Sequence, residues 1–207
     1  MSIEPVRVLV IYTANICRSV MTEAFLRRAL ASADVEAEVT SAGVNALVGA
    51  VPPGEVVEVM RERGLEVSDH VACQLVEPLA AGADLVIGLT LEHLREAVVM
   101  DPRLLGNGFT LKELARRAAA NGSRPADVDL GSWLAQLTSS REVEDLLGGS
   151  VEEDFPDPIG KPIGAYRQAA GDISDLVSVV VRGLWPSETG SHRSTPAPVV
   201  DRSRGIV

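Results

Sequence analysis

Residues 6–19 read VRVLVIYTANICRS, and the architecture of the chain can be inferred outward from them. The run from Val6 to Ile11 is apolar except at Arg7 and rich in β-branched residues, which is typical of a strand buried on both faces of a parallel sheet. Polar residues end that strand, and Arg18 opens a helix. Because such a turn directs backbone N–H groups and the positive end of a helix dipole at one point, it predicts a site for a tetrahedral anion.

The rest of the chain alternates between strand and helix patterns. Further strand patterns lie at residues 36–40 and 84–89. Helical patterns lie at residues 18–29, 56–63, 91–100 and 163–184, and the last is bounded by Pro162 and Pro186. Because parallel strands need a crossover between them, this order predicts an α/β three-layer sandwich with a four-stranded parallel sheet and the first strand at its centre.

Length and composition favour a single domain. With 207 residues, 46% of them hydrophobic, the chain can bury the core of one domain, which we place at residues 1–185. Residues 103–150 contain helix-like pieces, 111–119 and 133–137, between Gly-, Pro- and Asp-rich breaks, and we interpret them as an insertion. Residues 186–207 are rich in Ser, Thr, Pro and Gly and are predicted to be a disordered tail.

Charge and residue counts exclude several classes of function. A net charge of -10 argues against nucleic acid and against an anionic membrane surface as partners. The longest apolar runs are strand-sized, so we expect no membrane span, and the start of the chain carries no recognisable leader, which favours the cytoplasm. Two cysteines and three scattered histidines lack the spacing of a metal site, so we expect neither a metal nor a cofactor.

Residues 10–19, VIYTANICRS, resemble the V-C-x-G-N-I-C-R-S loop of low-molecular-weight protein tyrosine phosphatases. Three further matches occur in the expected order: TSAG at 40–43, SDH at 68–70 ahead of CQL at 73–75, and DFPDP at 154–158. The resemblance extends from about Val6 to Leu184. It implies a phosphatase fold whose ligand is phosphate, phosphotyrosine or another phosphorylated group, and it does not identify a protein partner.

The resemblance also implies roles for individual residues. Arg18 would bind two phosphate oxygens, Asn15 would hold the loop in its strained shape, Ser19 would hydrogen-bond the nucleophile, and Asp157 would be the general acid. The phosphate-binding loop would consist of Thr13, Ala14, Asn15, Ile16, Cys17, Arg18 and Ser19. Outside this context, Arg18 would be read as a solvated first-turn residue and Asp157 as a turn residue before proline.

The nucleophile position is the main departure from the family pattern, because Tyr12 stands where the family has cysteine. The family mechanism needs a thiolate that attacks phosphorus, whereas a phenol has a pKa near 10 and a much longer side chain. Cys17 does not replace the missing cysteine, because the same spacing to arginine, counted from Cys17, ends at Glu23. A small buried thiol is therefore the interpretation of Cys17.

Smaller departures point the same way. Ala14 stands where the family usually has glycine, so a positive φ there would be strained, and Val20 stands where proline is common. Ile159 and Gly160 replace the aromatic residue that often follows Asp-Pro, which weakens the case for an aryl substrate.

We therefore predict a catalytically impaired phosphatase-like protein, a pseudophosphatase that acts as a binding or regulatory module. The alternative is an active protein tyrosine phosphatase or phosphomonoesterase of low activity, because Arg18, Ser19 and Asp157 persist. A thiol-coupled arsenate reductase is a weaker alternative, because that chemistry needs a loop cysteine and a downstream cysteine pair, which Cys73 alone does not supply.

Overall fold

The computed structural model describes residues 4–141 and 155–186, whose strands form one parallel sheet in the order β2-β1-β3-β4. The strands are β1 (Val6–Tyr12), β2 (Ala37–Gly43), β3 (Leu85–Gly88) and β4 (Gly108–Thr110). The helices are α1 (Arg18–Ser32), α2 (Gly54–Arg61), α3 (Glu77–Ala81), α4 (Leu91–Met100), α5 (Leu104–Asn107), α6 (Leu111–Asn121), α7 (Leu130–Thr138) and α8 (Ile163–Leu184). The predicted α/β fold with a four-stranded parallel sheet and an internal first strand is confirmed.

Side chains of β1 alternate between two apolar cores. Val8 and Val10 pack with α1, α6 and α8 on one face of the sheet, whereas Leu9 and Ile11 pack with α3, α4 and α5 on the other. All four side chains are almost completely buried. Because helices cover both faces of this strand, residues 8–11 are continuously apolar, as the sequence pattern predicted.

The described part of residues 103–150, interpreted from the sequence as an insertion, is integral to the fold. Gly108–Thr110 forms β4 at the edge of the sheet, next to β3, and α6 packs against α8. The interpretation is therefore wrong for this part of the chain. β4 could not be recognised in the sequence, because a strand of three residues is too short to give an alternating pattern. Residues 142–150 lie outside the described residues, and the limits of the domain remain a prediction.

Helix α8 is the longest helix of the described residues and begins directly after Pro162, as predicted. Its apolar face, which includes Ile173, Val177 and Val180, is buried against α1 and α6. The predicted disordered tail lies outside the described residues except for Pro186. None of the helices in the described ranges is long and apolar enough to cross a membrane.

The sheet topology determines where a site can form. Because the four strands are parallel, the segments that follow β1, β2 and β3 all leave the sheet at the carboxyl ends of the strands. Ligands of open α/β sheets bind outside these carboxyl ends. The turn between β1 and α1, residues 13–17, is therefore flanked by residues 44–53 after β2 and by Leu89 and Thr90 after β3.

Candidate functional site

The turn of residues 13–17 is held from its outer side by the segment after β2. The carbonyl oxygens of Tyr12, Thr13 and Ala14 accept hydrogen bonds from the backbone N–H groups of Val44, Asn45 and Leu47 at 2.8, 3.1 and 3.1 Å. In a trans peptide the N–H group points opposite to the carbonyl oxygen, so the N–H groups of residues 13–15 are directed to the inner side of the turn. We call this inner side the cradle. Its donors suit an oxyanion.

Asn15 is fully buried in the centre of the turn and has a φ of 58°, a left-handed conformation that asparagine tolerates better than most residues. Its amide donates to Ser41 Oγ at 2.7 Å and to Ser19 Oγ at 3.2 Å, and its Oδ1 accepts from the backbone N–H of Cys73 at 3.0 Å. These bonds, made to three separate segments, hold the strained conformation in place.

A second layer of polar side chains supports Asn15 from behind. Glu23 accepts a hydrogen bond from Ser41 Oγ at 2.5 Å and pairs with Arg27 at 2.6 Å. His70 Nε2 lies 2.9 Å from the Asn15 carbonyl oxygen, and His70 Nδ1 lies 3.8 Å from Glu23. Sequence reasoning quoted Ser41 and His70 in motifs but gave Glu23 and Arg27 no role, because a contact between α1 and residue 70 has no local pattern.

Arg18 begins α1, and its side chain is 3% exposed. Its Cζ lies 4.1 Å from the centroid of the Tyr12 ring, over the ring face. Its Nη1 donates to the Phe155 carbonyl oxygen, and its Nη2 lies 3.0 Å from Asp157 Oδ2. Arg18 thus contacts the two other predicted catalytic positions, Tyr12 and Asp157.

The Tyr12 ring contacts a histidine as well as Arg18. The centroid of the ring lies 4.6 Å from that of His93, with the two planes tilted by 54°. His93 bridges two hydroxyl groups: its Nε2 lies 2.8 Å from Thr13 Oγ1, and its Nδ1 lies 2.5 Å from Thr90 Oγ1. Burial, and next the charge of Arg18, lowers the pKa of His93 to about 4, so the imidazole is neutral near pH 7.

Sequence reasoning counted His93 only as one of three scattered histidines. The sequence did contain a signal that places His93 near the site. Thr90 lies just after β3 and caps the N-terminus of α4, and His93 follows it in the first turn of that helix. Its use would have required knowing that β3 pairs with β1, which places the start of α4 next to residue 13.

We expect the stability of the protein to fall as the pH drops from about 6.5 to about 4. In that range the unfolded chain takes up a proton at His93, which folded His93 does not accept, and the loss reaches about 3 kcal/mol at pH 4. Urea unfolding of wild type and His93→Gln at steps of pH isolates this contribution, because the glutamine side chain does not titrate. Parallel stability profiles for the two proteins would contradict the expectation.

Both cysteines have raised pKa values. Cys17 is buried, and that burial, followed by the charges of Asp157 and Glu55, raises the pKa of its thiol to about 12. Cys73 is exposed, but partial desolvation and then Glu23 raise the pKa of its thiol as well. Neither residue has the lowered pKa of a nucleophilic cysteine.

Asp157 lies in the segment that leads into α8, and its side chain is 52% exposed. Its Oδ1 accepts a hydrogen bond from the backbone N–H of Ile159 at 3.1 Å. The next residue, Gly160, has a φ of 75° and donates its N–H to the Tyr166 hydroxyl at 3.3 Å. The turn that carries Asp157 thus contacts a buried residue of α8. Asp154, the first residue of the matched motif, lies outside the described residues.

The expected strain at Ala14 is not found. Among the non-glycine residues of 4–141 and 155–186, a positive φ occurs at Asn15 and Asp34, so the left-handed residue of the turn is Asn15 and not Ala14. Alanine is therefore compatible with the shape of this loop.

Comparison with known proteins gives matches along most of the chain. The family model described as "Low molecular weight phosphotyrosine protein phosphatase" matches residues 7–124. The "Probable low molecular weight protein-tyrosine-phosphatase EpsP" of Ralstonia nicotianae is 32% identical over 149 residues, 72% of this chain and 93% of the relative. The "Protein-arginine-phosphatase" of Bacillus subtilis is 32% identical over 177 residues, 86% of this chain and 95% of the relative.

Two solved structures match at comparable coverage. The low molecular weight protein tyrosine phosphatase from T. tengcongensis has a TM-score of 0.64 and 29% identity, covering 86% of this chain and 98% of its own. The YwlE arginine phosphatase from Geobacillus stearothermophilus has a TM-score of 0.62 and 27% identity, covering 86% and 92%. The similar proteins thus carry names for two kinds of phosphorylated side chain, tyrosine and arginine.

Proposed function

Because the chain belongs to the low molecular weight phosphotyrosine protein phosphatase family, we propose that it is a member without the catalytic nucleophile. In this proposal Tyr12 occupies the position of the nucleophilic cysteine, and the protein binds or regulates without turning over a phosphate ester. The observation that carries the proposal is the position of the Arg18 guanidinium, 4.1 Å over the Tyr12 ring.

The chemistry of the site supports this proposal. Phosphocysteine formation requires a thiolate in the cradle, whereas Tyr12 offers a phenol, which is a poorer nucleophile than a thiolate. Cys17 cannot take over the attack, because its buried thiol, with a pKa of about 12, remains protonated. The absence of a covalent nucleophile costs on the order of 10⁴- to 10⁶-fold in rate, or about 5 to 8 kcal/mol of barrier.

The contacts of Arg18 also reduce the affinity of the site for phosphate. A phosphate group bound by the N–H groups of residues 13–19 and by Arg18 would have to displace the Tyr12 ring and the Asp157 carboxylate from the same guanidinium. The charge of Arg18 is already balanced by Asp157 at 3.0 Å. We therefore propose that phosphorylated ligands bind here weakly and only when the turn carrying Asp157 moves.

One observation favours the alternative of a weak enzyme. Asp157, at the position of the family's general acid, remains within 3.0 Å of Arg18, so acid and phosphate-binding groups are still assembled. Water would then have to act as the nucleophile. Arsenate reduction is disfavoured, because the pKa values of both Cys17 and Cys73 are raised.

We expect the wild-type protein to release phosphate from p-nitrophenyl phosphate and from phosphoarginine no faster than the Arg18→Ala variant does. The reason is that neither Tyr12 nor Cys17 supplies a thiolate in the cradle. Phosphate release is measured with both substrates, because the similar proteins are named for both chemistries. Turnover of roughly 1 s⁻¹ or more that disappeared in Arg18→Ala would establish the weak enzyme instead.

A further inference from the structure

A groove of about 470 Å³ lies between the C-terminal ends of α1 and α8. Small side chains leave this space open, because α1 contributes Ala29 and Ala33 and α8 contributes Ser178. Val181 and Trp185 add apolar surface, and both belong to the core of the domain. The groove is therefore a largely apolar surface that is large enough for a short segment of chain.

The end of α8 that forms one wall of the groove is fixed by the segment after α6. The backbone N–H of Arg124 donates to the Gly183 carbonyl oxygen, and Arg124 Nε donates to the Leu184 carbonyl oxygen, both at 2.7 Å. Ser123 Oγ donates to the Arg182 carbonyl oxygen at 3.3 Å. Because these bonds hold the wall in place, the groove is preformed and loses little conformational entropy when it is occupied.

Arg182 gives the groove its charge. Of the described residues that line the groove, Arg182 is the one with a charged side chain, and it is exposed. Within residues 4–141 and 155–186 it forms no ion pair. A guanidinium beside an apolar surface favours an occupant that combines apolar side chains with a carboxylate.

The chain itself contains a segment of this kind. Pro186, the last described residue, lines the groove, and residues 187–207 follow it in the sequence. The longest apolar run among them is Pro-Ala-Pro-Val-Val at residues 196–200, and Asp201 comes directly after it. Its two prolines restrict the run to fewer backbone conformations, so it has less entropy to lose on binding than an ordinary segment.

The connection to this segment has a suitable length. Residues 187–195 span up to about 30 Å when extended, which is more than enough to return to a groove that Pro186 already lines. A linker of this length keeps the segment at an effective concentration of roughly millimolar beside the groove. The chain's own segment therefore has an advantage over a second copy or another protein that offers the same residues.

We propose that residues 196–201 of the same chain occupy the groove, with Val199 and Val200 on its apolar surface and Asp201 paired with Arg182. The composition of this part of the chain predicts that it does not fold alone, and the groove supplies the apolar surface that it lacks. The groove lies at the end of α1 opposite to the cradle, roughly 20 Å along the helix. The inference goes beyond the proposed function and does not depend on whether the cradle is inert.

Limited trypsin digestion of the full chain tests the proposal, because two Arg–Ser bonds follow Pro186, one after Arg193 and one after Arg202. A synthetic peptide of residues 187–207 gives the intrinsic cleavage rate of each bond, and mass spectrometry separates the fragments. Trypsin cuts only the undocked population, so the bond after Arg202 should be cut at least about 5-fold more slowly in the protein than in the peptide. The bond after Arg193, in the linker, should be cut within about 2-fold of its rate in the peptide.

Variants identify the contacts, each compared with a peptide of its own sequence. Val199→Ser/Val200→Ser should abolish the protection of the bond after Arg202. Ile206→Ser/Val207→Ser, the matched control, changes another apolar pair of the same segment and should preserve the protection. Arg182→Gln and Asp201→Asn should each reduce the protection about 2-fold, and the double variant should reduce it no further, because the two side chains act as a pair.

Several outcomes would overturn the proposal. They are cleavage after Arg202 at the rate of the peptide, protection that survives Val199→Ser/Val200→Ser, loss of protection in the control, and additive effects of the two charge substitutions. Protection that fades when the protein is diluted about a hundredfold would also overturn it, because the occupant would then come from a second copy.

Discussion

Tyr12→Cys is expected to raise phosphate release from aryl phosphates by at least about 10³-fold over the wild-type protein. Arg18, Asn15 and Asp157 are already in place, so the substitution supplies the one group whose chemistry the other residues cannot provide. It also removes the ring that contacts the Arg18 guanidinium. The N–H groups of the cradle and Arg18 would lower the pKa of the new thiol and favour its thiolate.

Three further substitutions in the Tyr12→Cys background identify the source of any activity. Arg18→Ala should return the rate to background. Asp157→Ala should slow phenyl phosphate more than p-nitrophenyl phosphate, because the weaker leaving group needs the acid more. Ala14→Gly should change the rate little, since Ala14 has no positive φ. A folded Tyr12→Cys protein that released phosphate no faster than wild type would contradict the proposal that only the nucleophile is missing from this loop.

Glu113→Ala is expected to lower the free energy of unfolding by about 3–5 kcal/mol. The Glu113 side chain is 11% exposed and pairs with Arg117 at 2.7 Å and with Arg141 at 2.8 Å. Arg141 is only 4% exposed and also donates to the carbonyl oxygens of Leu105 and of Gly108, the first residue of β4. Removal of the carboxylate leaves two largely buried guanidinium groups without their counter-charge.

Urea unfolding measures this loss, and Glu66→Ala provides the matched control. The pair of Glu66 with Arg61 lies on the surface, with both side chains more than 60% exposed, so its removal should cost less than about 1 kcal/mol. Equal effects of the two substitutions would show that burial does not set the strength of the Glu113 network.

The sequence predicted the centre of the fold because its signals there are local. Residues 6–19 contain a complete strand, a turn and a helix start, so the place of Arg18 follows from neighbours in the chain. The segments 84–89 and 91–100 were predicted for the same reason and appear as β3 and α4. Asp157 could be assigned only through the resemblance of its motif, and its contact with Arg18 joins residues far apart in the sequence.

The features that sequence reasoning missed are all non-local or very short. β4 has three residues, too few for an alternating pattern, and it lies in the region interpreted as an insertion. His93 reaches Thr13 across 80 residues of sequence, and Glu23 reaches Ser41 only because β2 lies beside α1. At Ala14, the resemblance suggested strain that the structure places at Asn15 instead.

The bond from Arg18 to the Phe155 carbonyl oxygen has a consequence for how the protein folds. It joins residues 137 positions apart, so it can form only after the intervening strands and helices have come together. Contacts of such high sequence separation form slowly, because the entropy of closing the loop must be met before they stabilise anything. The environment of Arg18 therefore reports the completion of folding, and a nascent chain that ends before residue 155 would lack both this bond and α8, which packs against α1 and α6.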